Sequence, residues 1–104
     1  MKNRVTTICL TKTGNTYKFK AEGHAGFNPG NDIVCASVCI LTYALAGRLQ
    51  ELGCNISDND IISGYAAFSF PVNNLTVQAV KTAFCGFRML QKSFPDNVRI
   101  VDYE

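Results

Sequence analysis

The run from Ile33 to Leu52 constrains the fold more than any other segment, because it carries apolar residues at 36, 38, 40, 41, 44, 45, 49 and 52. The spacing is helical, and the helix is apolar around much of its circumference rather than along one stripe. Such a helix is either central to the fold or shared with a partner chain. Its ends are marked in the sequence. Asp32 is an N-cap residue whose carboxylate accepts from backbone N–H groups of the first turn, and Gly53 suits a C-terminal stop. Ile33, Val34 and Cys35 then fill the first three helical positions.

The other elements read from period and punctuation. Arg4 to Leu10 is rich in β-branched residues, Thr13-Gly14-Asn15 supplies a turn, and Tyr17 to Glu22 alternates apolar and polar. Residues 4–24 therefore predict a β-hairpin. Asn28-Pro29-Gly30-Asn31 is a turn signal, with Pro preset for the first central position and Gly able to take positive φ at the second. Ile61 to Phe70 predicts a strand that Pro71 ends. Asn73 or Asn74 caps a second helix over 75–93, apolar at 75, 79, 80, 83, 84, 87 and 90. Pro95 stops it, and Val98 to Val101 makes a closing strand. The order β-β-α-β-α-β predicts an α+β fold, with two helices packed on one face of a mostly antiparallel sheet.

At 104 residues, 47% hydrophobic and 17% charged, the sequence predicts a single domain over 1–104 with a packed core. Ten basic and eight acidic residues are spread along the chain without a tight basic run, which argues against direct nucleic-acid binding. The longest apolar stretch, Ile33 to Leu45, is interrupted by Ser37 and Thr42 and falls short of a bilayer span. The segment after Met1-Lys2-Asn3-Arg4 is too short and too polar for a signal peptide. With an odd number of cysteines (Cys9, Cys35, Cys39, Cys54 and Cys85), the expectation is reduced thiols in the cytoplasm.

His24 is the only histidine, and Cys35 follows it by eleven residues. An ordinary thiol titrates at about 8.5 and is mostly protonated at neutral pH. A helix N-terminus and a neighbouring imidazolium both favour the thiolate. If the connection folds back, His24 takes the thiol proton as general base and later protonates a leaving amine, while first-turn N–H groups are candidate donors to an oxyanion. Gly23, Gly26 and Gly30 give the connection its freedom, and Phe27 is a candidate lid over a bound peptide. Asp32 supports the first turn. Its carboxylate stands too close to the thiol to favour thiolate, so its expected role is structural.

Other readings share these residues. Buried cysteines are ordinarily inert packing, and a histidine beside glycine is ordinarily a strand-end residue. Cys39, one turn beyond Cys35, makes with it and His24 an incomplete metal set that lacks a fourth ligand. A Cys35–Cys39 disulfide is poorly aimed in a regular helix. Cys9, Cys54 and Cys85 default to packing, and Asp58 and Asp60 read as a solvated loop. The residues leave three classes open: a cysteine hydrolase without cofactor or metal, a binding module, and a small thiol redox or metal protein.

Gly23-His24-Ala25-Gly26, followed by Gly30-Asn31-Asp32-Ile33-Val34-Cys35-Ala36, resembles the ribosomal-processing cysteine proteases called Prp. The resemblance covers nearly the whole chain, with its distinctive part at 23–41. It implies that His24 and Cys35 are a catalytic dyad in a cytoplasmic, homodimeric bacterial endopeptidase. It further implies a substrate: the precursor of a large-subunit ribosomal protein, whose N-terminal extension is cut after a phenylalanine in a hydrophobic-aromatic motif. The rival within this resemblance is a ribosome-associated binding module with a vestigial dyad. The family commonly has Ser where this chain has Cys39, and a thiol is the weaker hydrogen-bonding group and the more easily oxidised.

Overall fold

β1 (Thr6–Thr13) and β2 (Thr16–Glu22) form the expected hairpin, with Gly14 at φ 61° in the tight connection. The computed structural model describes residues 5–23, 32–54, 56–62 and 64–101. Cross-strand partners Ile8↔Ala21 and Leu10↔Phe19 put these apolar side chains on one face of the ribbon. β4 (Tyr65–Pro71) continues that face, with Phe68 opposite Phe19 and Phe70 opposite Tyr17. β5 (Val98–Val101) lies parallel to β1 at the far side. With β3 (Ser57–Ile62) at the edge, the sheet order is β3-β4-β2-β1-β5, and β1–β5 is its one parallel pairing among the described strands.

The α+β class, the mostly antiparallel sheet and the two helices on one face are as expected. The sheet contains one strand beyond the expected order. The single strand read over 61–70 is two, β3 (Ser57–Ile62) and β4, with Gly64 at φ 75° between them. Asp58 and Asp60, read as a solvated loop, belong to β3. β3 is an edge strand, where charged residues are common because they discourage pairing with another chain. The pairing is irregular between Ser57 and Asp60, which weakened the alternation in the sequence.

α1 (Ile33–Glu51) begins and ends where its caps dictate. At the C-terminus the Gly53 N–H donates to the Gln50 carbonyl and the Cys54 N–H to Leu49, with Gly53 at φ 77°. This is a Schellman motif, which satisfies carbonyls that the helix leaves open. α2 (Asn74–Ser93) starts with a capping box, in which the Asn73 side chain accepts from the Thr76 N–H and the Thr76 hydroxyl accepts from the Asn73 N–H.

Val34, Val38, Leu45, Ala46 and Leu49 of α1 join Val80, Ala83, Phe84 and Phe87 of α2 over the apolar sheet face. Phe19 is central, with ring centroids 5.1 Å from Phe68, 6.1 Å from Phe84 and 5.9 Å from Phe87. Burial of each such side chain stabilises the fold by about 1.5–3 kcal/mol. The helices approach closely at Gly86, where an added Cβ would come within 2.6 Å of a Leu41 methyl. The opposite side of α1 is open: Ile33, Ile40 and Tyr43 are exposed. By length and composition α1 is also apolar enough to cross a bilayer, but its Val34–Leu49 face is packed in the manner of a core helix.

Candidate active site

Cys35 is the third residue of α1, the position expected for it. One oxygen of Asp32 accepts from the Val34 N–H at 2.9 Å and from the Cys35 N–H at 3.0 Å. The Asp32 carbonyl takes the next donor, the Ala36 N–H, at 3.1 Å. Val34 is fully buried and Val38 nearly so, so the first turn is held by its cap from one end and by the core from below. Cys35 between them is half-buried, at the border of core and solvent. The first-turn donors foreseen for an oxyanion are therefore occupied at Val34 and Cys35, because the cap that sets the helix uses them.

The chain leaves β2 at Gly23, the residue before His24 in the sequence. The φ of Gly23 is 101°, and a Cβ there would run into the carbonyl oxygen of Val5. Only glycine fits this close approach without strain. The Gly23 N–H donates to the Gly64 carbonyl at 2.8 Å, and the Thr6 hydroxyl donates to the Gly23 carbonyl at 3.3 Å. Thr6 and Gly64 thus hold the chain where it leaves β2 towards His24. Sequence reasoning missed both. The Ser63-Gly64 dipeptide was the available signal, a turn pair inside an apparent strand. Thr6 carried none, since its partner is seventeen residues away.

His24, Gly26, Phe27 and Gly30 lie outside the described residues, as does the turn at 28–31. Cys39 is exposed, one helical turn beyond Cys35. Partial desolvation, and secondly the charge of Cys35, raise its thiol above the ordinary cysteine range. No three of His, Cys, Asp and Glu gather to hold a metal among the described residues. A groove of about 480 Å³ between α1 and α2 is lined by Leu41, Leu45, Leu52, Leu75 and Ala79 with Arg48 at its rim. Cys35 is not part of it, so the groove and the thiol are separate features.

Together these features describe an α+β domain with Cys35 in the first turn of a helix packed on the sheet. The match to a family model makes it a cysteine peptidase. The chain belongs to the Prp family: the family model described as cysteine protease Prp matches residues 5–99. Solved structures share the fold. The essential ribosomal processing protease Prp from S. aureus, in complex with a covalently linked product peptide, aligns over 96% of this chain and all of its own, with 19% identity and a TM-score of 0.78. The same S. aureus protease with a substrate peptide aligns over 95% of this chain and 100% of that one, with 15% identity and a TM-score of 0.72. SMU.848 from Streptococcus mutans aligns over 95% of this chain and 96% of its own, with 22% identity and a TM-score of 0.68. No match was found among curated proteins.

Proposed function

We propose that this cysteine peptidase acts through a Cys35/His24 dyad, as one cysteine protease domain over 1–104. In this reading it removes the N-terminal extension from the precursor of a bacterial large-subunit ribosomal protein in the cytoplasm. The observation that carries the proposal is the placement of Cys35 at the third position of a capped, core-anchored helix, in a chain of the Prp family. The S. aureus relative, a ribosomal processing protease described with a substrate peptide and with a covalently linked product peptide, motivates the substrate class.

In the proposed reaction His24 removes the Cys35 thiol proton as sulfur attacks the peptide carbonyl carbon. The tetrahedral intermediate collapses to a thioester as His24 returns the proton to the leaving amine. Water, deprotonated by His24, then attacks the thioester and releases the carboxylate and Cys35. With the Val34 and Cys35 amides engaged by Asp32, oxyanion donors must come from other groups. Gly23 sets the direction in which the chain enters His24, Gly26 and Gly30 allow the connection to adapt, and Phe27 contacts substrate.

The proposal includes a homodimer. Ile33, Ile40 and Tyr43 recur at helical spacing on the open side of α1, and Ile40 is 66% exposed. Contact between two copies would cover this stripe. Sedimentation should give a dimer for the wild type and a monomer for Ile40→Glu.

The decisive experiment incubates a ribosomal protein bearing its extension with wild type, Cys35→Ala and His24→Ala under reducing conditions. One cut after phenylalanine, absent with both variants, is expected. Cleavage retained by Cys35→Ala would overturn the dyad. No cut by folded wild type would favour a ribosome-associated binding role.

A further inference from the structure

Cys35 and Cys39 are four residues apart on α1, so their side chains leave one face of the helix a turn apart. Both are thiols, one half-buried and the other exposed. Neighbouring positions hold the backbone still: Asp32 caps the turn, and Val34 and Val38 are buried beside the two cysteines. At this helical spacing Cβ atoms stand about 5–6 Å apart, whereas a disulfide draws them to about 3.5–4.5 Å. The helix therefore disfavours a direct S–S bond. It suits a single bridging atom with two sulfur bonds of about 2.3 Å each, the length of a zinc–thiolate bond.

We infer that Cys35 and Cys39 form a chelating dithiol for a soft thiophilic centre, of the class of a trivalent organoarsenical. Such a centre carries one carbon substituent and needs only two sulfurs, while a structural zinc needs four ligands. The influence of Cys35 on the Cys39 thiol fits two sulfurs that share one local environment. With phenylarsine oxide the step balances without an oxidant or reductant. Two As–S bonds form, two S–H bonds break, and the arsenic-bound oxygen leaves as water with both thiol protons. Cys39 supplies the second sulfur at a high effective concentration, so capture should be on the order of 10²-fold tighter than by one thiol. Capture occupies Cys35. The consequent loss of peptide cleavage, and only that consequence, rests on the function proposed above.

The test measures phenylarsine oxide uptake by intact-mass spectrometry on reduced, folded protein, with cleavage assayed in parallel. Wild type and Cys85→Ser should each hold one bridged adduct, released by ethanedithiol. Cys35→Ala and Cys39→Ser should need on the order of 10²-fold more reagent. Cys39→Ser should retain cleavage while losing sensitivity to the arsenical. Uptake by Cys39→Ser equal to wild type, or uptake lost in Cys85→Ser, would overturn the dithiol. Bridged wild type in a preparation that never cleaves would uphold the dithiol and remove the proposed function instead.

Discussion

Alanine at Gly23 separates two costs that usually arrive together. Gly14 and Gly23 both have positive φ, 61° and 101°. A Cβ at Gly14 meets nothing within 4 Å, whereas at Gly23 it meets the Val5 carbonyl. Gly14→Ala should therefore lose only the left-handed backbone term, about 1–2 kcal/mol. Gly23→Ala adds a collision with backbone, which no rotamer change relieves, and overpacking of this kind costs about 1–3 kcal/mol. The second variant should be destabilised by about twice as much as the first. Urea unfolding followed by far-ultraviolet circular dichroism measures both, with a common m-value as the check that the unfolded states match. The Thr6 and Gly64 hydrogen bonds to Gly23 shift with it, so Gly23→Ala should also slow peptide cleavage at temperatures where it remains folded. Equal losses of stability in the two variants would refute the close-approach argument.

Asp32→Ala removes the acceptor of two first-turn N–H groups and should cost about 1 kcal/mol, lowering Tm by roughly 4–8 °C. Asp32→Asn should recover most of that in the same thermal scan, and an unchanged Tm in the alanine variant would contradict the capping role. Asn73→Ala breaks the α2 capping box and should cost about 1 kcal/mol by urea unfolding, an amount that adds to the Asp32→Ala loss because the caps are on different helices. The Cys39 thiol, raised first by desolvation and then by Cys35, should be alkylated by iodoacetamide with a pH midpoint above that of the same residue in urea. The folded state retains this proton where the unfolded chain has lost it, so the associated stability is present below the ordinary cysteine value and falls as pH rises past it. Cys35→Ser should bring the midpoint partway back, and identical midpoints in folded and unfolded protein would refute the assignment.

What could be read without coordinates was local. Asp32 and Gly53 marked α1, Asn73 or Asn74 marked α2, and Cys35 fell on the third helical position, because each depends on groups within about five residues. The hairpin followed from alternation and a short turn. The extra strand did not, since β3 has polar residues and an irregular register, and its identity as a strand comes from pairing with β4. The apolar circumference of α1 likewise gave no indication of which side faces the sheet. That choice was made by Phe19, Phe68, Phe84 and Phe87 assembling a core from distant parts of the chain. The close approach of Gly23 to Val5 was equally invisible. Caps and turns are satisfied within a few residues, so sequence alone determines them. Faces, edges and close approaches are settled only when segments tens of residues apart exclude water from one another.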